Sequence, residues 1–299
     1  MLKEGFYCAL GTPLDQRGEL LPGSLKKHVD GQIENGASGL LLMGTMGMLG
    51  CIRDDQYEPI VAQGVRAVAG RVPLLVGAAD NSIARMKARL KVLEKYPVAA
   101  VLTAPYYFGM DRGGMMRYFK AAAEGDGNDL YLYDHPFTAR RKIELEDVLE
   151  LAALPRYKGI KTGDAVLIRK LHESKELKAD FTPIFSNSDL FSMARTFGIH
   201  RTLDGIYACF PKTTGEMQRA WDRGDMAAGN AAVNRIMKAR DGMITLGIWP
   251  AFTTAMNLLG YEGSFGPDYE RVFDPDKDAA QFGTVRRLME EAGEIGKPA

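Results

Sequence analysis

Gly39-Leu40-Leu41-Leu42-Met43 carries no polar side chain and runs directly into the turn Gly44-Thr45-Met46-Gly47. A strand with one wet face alternates apolar and polar side chains, because successive residues point to opposite faces. A run without alternation suits a strand covered on both faces, the mark of a parallel sheet flanked by helices. The glycine-flanked turn then falls at the carboxyl end of that strand. Both features recur along the chain.

Comparable short apolar runs occupy 6–10, 73–77, 99–104, 130–133, 157–161, 181–185 and 203–210. Between them lie segments of helical periodicity at 24–35, 54–69, 83–96, 114–124, 145–154, 164–177 and 189–197. In the first of these, Leu25, Val29 and Ile33 recur at i+4, Ser24 is placed to cap the start and Gly36 to stop the end. Residues 214–244 read as one or two further helices. About eight strand–helix repeats predict a closed (β/α)8 TIM barrel. An open doubly wound sheet is the alternative, disfavoured because no GxGxxG follows the first strand and the repeats run on without a break. Two extra C-terminal helices, at 249–259 and 278–292, are expected to cover the barrel or make subunit contacts. Nothing resembling a linker divides the chain, which reads as a single domain over 1–299, with the barrel to about 225 and a helical extension over about 226–299.

Lys+Arg and Asp+Glu both count 38, so global charge favours neither nucleic acid nor an anionic membrane. The N-terminus has no apolar signal region, and no window approaches the roughly 18 to 20 apolar residues of a membrane span. Cys8, Cys51 and Cys209 are far apart and odd in number, which argues against a disulfide framework and for the cytoplasm. The four histidines form no ligand pattern, and no P-loop is present, so neither metal nor cofactor is expected. His28 and His172 fall in helices, at the surface or between helices.

Barrel active sites gather at the carboxyl ends of strands. Lys161 ends the sixth run, just before Thr162-Gly163. A lysine pointing into a barrel mouth is partly desolvated, which frees its amine to attack a carbonyl. Position alone leaves Lys158 and Lys212 as comparable candidates, each equally readable as a solvated lysine. Tyr133 ends the neighbouring fifth run, where its phenol can relay protons, while Tyr131 reads as packing. Gly44-Thr45-Met46-Gly47 offers backbone N–H groups suited to a carboxylate. His135, two residues past Tyr133, is the histidine placed to touch a substrate. Pro105-Tyr106-Tyr107 and Ser186-Asn187-Ser188-Asp189 complete the polar strand ends.

With Gly11-Thr12-Pro13, Gly159-Ile160-Lys161 and Gly205-Ile206-Tyr207 in the same order and spacing, the chain resembles the dihydrodipicolinate synthase / N-acetylneuraminate lyase family over about residues 5–263. The resemblance implies class I aldolase chemistry, with Lys161 forming an imine with the ketone of pyruvate or a longer 2-oxo acid. It implies proton transfer by Tyr133, with Thr45 and a neighbouring subunit's Tyr107 completing a relay. Backbone N–H groups of Gly44, Thr45 and Met46 would hold the carboxylate, and Ile206 would line the pyruvate end. The assembly implied is a homotetramer of two tight dimers.

The chain departs from the family pattern in four places, one of them Asp134-His135, where the family commonly has asparagine and an apolar residue. Met46 replaces a second hydroxyl residue, at a cost to carboxylate binding of about 1 kcal/mol if nothing compensates. Met48 replaces a glutamate. Thr138 stands where the synthase branch has an arginine, with Arg140 and Arg141 slightly later. The expected function is therefore a lyase that cleaves, or condenses, a 2-oxo acid such as a 2-keto-3-deoxy sugar acid or a sialic-acid-like sugar, giving pyruvate and an aldehyde. His135, Thr138 and Ser188 would face the variable end of that substrate. A hydro-lyase or deaminase, or dihydrodipicolinate synthase itself, would use the same imine. A non-catalytic binding barrel is the reading from another class.

Overall fold

Successive buried positions, not alternating ones, define the strands of the computed structural model, which describes residues 2–296. The strands are β1 (Gly5–Ala9), β2 (Gly39–Leu42), β3 (Leu74–Gly77), β4 (Ala99–Thr103), β5 (Leu130–Asp134), β6 (Tyr157–Thr162), β7 (Thr182–Phe185) and β8 (Arg201–Asp204). Every residue of β1, β2, β3 and β5 is buried. Their order closes as β1 through β8, a (β/α)8 barrel with added C-terminal helices. The expected domain limits of 1 and 299 lie outside the described residues.

Helices follow the strands: α1 (Pro22–Glu34), α2 (Asp54–Val68), α3 (Ile83–Leu93), α4 (Arg112–Ala122), α5 (Pro136–Ala139), α6 (Leu145–Ala152), α7 (Ala165–Glu173) and α8 (Phe191–Thr196). After β8 come α9 (Pro211–Asp222), α10 (Met226–Thr245), α11 (Ile248–Leu258) and α12 (Ala279–Ala292). Several starts are set by a side chain that accepts an otherwise orphaned N–H: Ser82 from Arg85, Asp111 from Gly114, Asp164 from Val166 and Leu167, Asp225 from Ala228. Ser24 does not cap α1. Pro22, with its fixed φ and no N–H, starts that helix two residues earlier, and Ser24 becomes a buried residue of it. Gly36 does stop it, at φ +96.

The packing groups into two compact units. One takes the residues up to Gly5 together with Pro73–Leu203; the other takes Phe6–Val72 and the chain from Asp204 onward. In the first unit, parallel pairing sets Thr103 beside Tyr133, Tyr133 beside Lys161, and Lys161 beside Ile184. One level down on the same face, Tyr131 pairs with Gly159. A Cβ on Gly159 would lie 2.5 Å from Tyr131 Cε1 and would also run into the Thr182 carbonyl, so the ring occupies the space that a side chain would need. Tyr131 is thus the packing tyrosine.

In the second unit, Thr12 Oγ1 donates to the carbonyl of Gly47 at 2.7 Å, which ties the turn after β2 to the end of β1. A Cβ on Gly47 would meet the Met43 backbone at 2.7 Å, so only glycine lets the turn fold back this closely. The eighth apolar run is a strand only at its start. Asp204 Oδ1 accepts the N–H of Ile206 at 2.9 Å and bends the chain into a single 3-10 turn over Ile206–Cys209.

Candidate active site

Of the three candidate lysines, two are committed elsewhere, and Lys212 lies in α9. Lys158 forms a half-exposed ion pair with Asp180, and Lys212 Nζ donates to the carbonyl of Glu294 at 2.8 Å. Lys161 is 6% exposed and has no ion pair among the described residues. Its Nζ lies 3.7 Å from the ring centroid of Tyr133, itself 8% exposed. The amine is therefore buried against an aromatic face at the carboxyl end of β6, with no carboxylate holding it.

His135 joins this pair. Its ring lies 5.0 Å from that of Tyr133, and its Nδ1 is buried with no hydrogen-bond partner. Burial, and then the nearby positive charge of Lys161, pushes its pKa down to about 4. The ring is thus neutral at neutral pH, with one donor and one acceptor nitrogen.

Asp134 is structural. Its two oxygens accept from Thr162 Oγ1 at 2.8 Å and from the Ile143 N–H at 3.1 Å, which ties β5 to β6 and closes the loop that carries His135. Burial raises its pKa and these hydrogen bonds oppose the rise. That loop borders a cavity of about 280 Å³ lined by Tyr133, His135, Phe137, Lys142, Asp164 and Ser186 among others. Phe137 is 95% exposed at its edge. Thr138 sits part-buried in α5, donating its N–H to the His135 carbonyl. Arg140 is exposed, at φ +53, whereas Arg141 has a buried Nε without a partner. Ser188 is buried at the start of a 3-10 turn after β7.

Tyr107 is 71% exposed, its ring edge-on to Phe108 at 4.8 Å. Its backbone is nonetheless fixed: Asn81 Oδ1 accepts the N–H groups of both Tyr106 and Tyr107, at 2.9 and 2.8 Å. In the second unit, the carbonyls of Gly44 and Thr45 accept from Leu49 and Met48. The N–H groups of Gly44, Thr45 and Met46 donate to no protein acceptor among the described residues. Met46 lies across Gly205, where a Cβ would fall on Met46 Cγ and 2.9 Å from its Cβ. Ile206, in the adjacent 3-10 turn, is buried.

One polar strand-end residue escaped the sequence reading. Thr103 is the only hydroxyl in Ala-Ala-Val-Leu-Thr of β4, and its Oγ1 is buried without a partner. Its signal was a lone hydroxyl at the end of an otherwise apolar strand. Among the described residues, no cluster of three or more His, Cys, Asp or Glu could hold a metal, and no helix is long and apolar enough to cross a membrane.

A family model described as the dihydrodipicolinate synthetase family matches residues 3–265. A 4-hydroxy-tetrahydrodipicolinate synthase of Acidiphilium cryptum is 27% identical over 262 residues, covering 87% of this chain and 90% of the relative. Another so named, from Neisseria gonorrhoeae, is 26% identical over 98% of this chain and 99% of its own. Among solved structures, YagE, a prophage protein from E. coli K12 determined in complex with pyruvate, superposes with a TM-score of 0.86 at 18% identity, covering 99% of this chain and 100% of that one. With the family match spanning the barrel strands and Lys161 of β6, the chain belongs to the dihydrodipicolinate synthetase family, whose members are enzymes of the class I aldolase type.

Proposed function

We propose that the chain is a Schiff-base-forming lyase acting on a 2-oxo acid, such as a 2-keto-3-deoxy sugar acid or a sialic-acid-like sugar. The observation that carries this reading is the buried, carboxylate-free Lys161 amine set against Tyr133. Lys161 Nζ adds to the C2 ketone, and loss of water leaves an iminium. Tyr133 takes the proton of the C4 hydroxyl as the C3–C4 bond breaks. The bonding pair moves into the iminium to form an enamine, and the aldehyde leaves. Protonation at C3 and hydrolysis then release pyruvate and restore the amine.

The remaining roles follow the family pattern residue by residue. Thr45 of the same chain, together with Tyr107 of the partner subunit, completes the proton relay, within a homotetramer. The free N–H groups of Gly44, Thr45 and Met46 bind the carboxylate, and Ile206 lines the pyruvate end. His135, Thr138 and Ser188 meet the variable end of the substrate. The chain acts as a single domain in the cytoplasm, without metal or cofactor.

A second reading, synthesis by condensing pyruvate with a carboxylate-bearing aldehyde, is favoured by the names of both curated relatives and by the unpartnered Nε of Arg141. Borohydride reduction in the presence of pyruvate tests the chemistry common to both. A mass increase mapped to Lys161 is expected, and its absence sinks the imine. Product analysis then separates the two, because the lyase consumes a single 2-oxo acid to yield pyruvate.

A further inference from the structure

Thr103 ends β4 at the level of Tyr133, which is itself level with Lys161 on β6. Register partners on parallel strands point to the same face, and neighbouring strands lie about 4.8 Å apart. Thr103 therefore projects beside Tyr133 on the side away from Lys161. Its Oγ1 is buried, yet it neither donates nor accepts a hydrogen bond within the protein.

An unsatisfied buried hydroxyl is destabilising, and valine fills nearly the same volume without that penalty. Retaining a hydroxyl at the end of Ala-Ala-Val-Leu makes physical sense where a bound molecule supplies its partner. Because Tyr133 separates Thr103 from the amine, that partner belongs to a part of the substrate beyond the imine carbon.

We propose that Thr103 is a specificity-determining residue, whose hydroxyl hydrogen-bonds a hydroxyl oxygen on the chain of the 2-oxo acid held by Lys161. This rests on the imine reading above. Thr103 would then favour hydroxylated 2-oxo acids over pyruvate itself, which has no such oxygen.

The test compares wild type, Thr103→Val and Thr103→Ser by borohydride trapping, using pyruvate and 2-keto-3-deoxygluconate as probes. The expected result for Thr103→Val is a half-saturating concentration raised about tenfold for the hydroxylated probe. That for pyruvate should stay unchanged, and the melting temperature without ligand should be equal or higher. Thr103→Ser should keep the wild-type preference. Equal trapping of the hydroxylated probe by wild type and Thr103→Val overturns the proposal, leaving the hydroxyl to an ordered water. Parallel losses for both probes also overturn it, as does a wild type that traps pyruvate but never the hydroxylated acid. Failure of wild type to trap either probe is a different result, because it removes the imine itself.

Discussion

Lys161 Nζ rests on the face of the Tyr133 ring, 3.7 Å from its centroid, not on its hydroxyl. The two residues are register partners on β6 and β5, so backbone pairing fixes their contact. The ring face supports the amine while the phenol remains available to a bound ligand. Lining up the two residues needs no loop closure.

If Lys161 forms the imine and Tyr133 moves the proton, this arrangement lets the two steps be tested apart. Tyr133→Phe keeps the ring face and removes the phenol. The variant should still give a borohydride adduct with pyruvate on Lys161, while turnover falls by roughly 10²- to 10⁴-fold, the usual worth of a positioned acid–base group. Unchanged turnover on a confirmed substrate would assign the proton transfer to another group.

Acid stability should depend on two buried imidazoles. His28 on α1 is fully buried, its ring tilted against that of Tyr261 at 4.9 Å, with neither ring nitrogen hydrogen-bonded. Burial pushes its pKa down to about 3, and burial with the Lys161 charge holds His135 near 4. Between pH 6.5 and those values the unfolded chain binds protons that the folded chain refuses. Stability is therefore full above about pH 6.5 and falls on acidification, by up to about 1.4 kcal/mol per pH unit for each group. Urea unfolding across pH 4 to 7 should show this slope. His28→Leu should remove its share of the slope and leave that of His135, without loss at pH 7; an unchanged slope would mean the His28 imidazole is solvated.

Periodicity places each of the first seven strands to within a residue, because a barrel strand buried on both faces leaves an unbroken apolar run. The eighth run misleads for the same reason. Burial is shared by a strand and a 3-10 turn, and what divides them is the Asp204 carboxylate capturing the Ile206 N–H. Lys161 could not be told from Lys158 and Lys212 by position. Partners separate them, and ion pairing to Asp180 or bonding to the Glu294 carbonyl has no local sequence signature. Thr103 stands out in the sequence only as a lone hydroxyl in an apolar run; strand pairing is what sets it level with Tyr133.

Gly159 is the position below Lys161 where backbone spacing is most exposed to challenge. In Gly159→Ala the new methyl meets both the Tyr131 ring and the Thr182 carbonyl of β7. Urea unfolding should register a loss of roughly 1–3 kcal/mol, the typical cost of overpacking. Adding Tyr131→Leu should recover only part of it, since the carbonyl clash remains. Full recovery would show that β6 and β7 tolerate the methyl and that the ring alone requires glycine.

Met46 and Gly205 should behave as a coupled pair, because the thioether chain fills the space over the glycine. Gly205→Ala alone forces Met46 out of place, and should lower both the melting temperature and the affinity for pyruvate in the trapping assay. Met46→Thr shortens that chain and adds a hydroxyl beside the free N–H groups of the turn. If those groups bind the carboxylate, Met46→Thr should tighten pyruvate binding by about fivefold, corresponding to one hydrogen bond of about 1 kcal/mol. The double variant should recover only part of that stability, since threonine removes the sulfur but keeps the Cβ that would lie 2.9 Å from the new methyl. Additive effects would mean that the two residues do not share that space. Weaker pyruvate binding in Met46→Thr would move the carboxylate away from this turn.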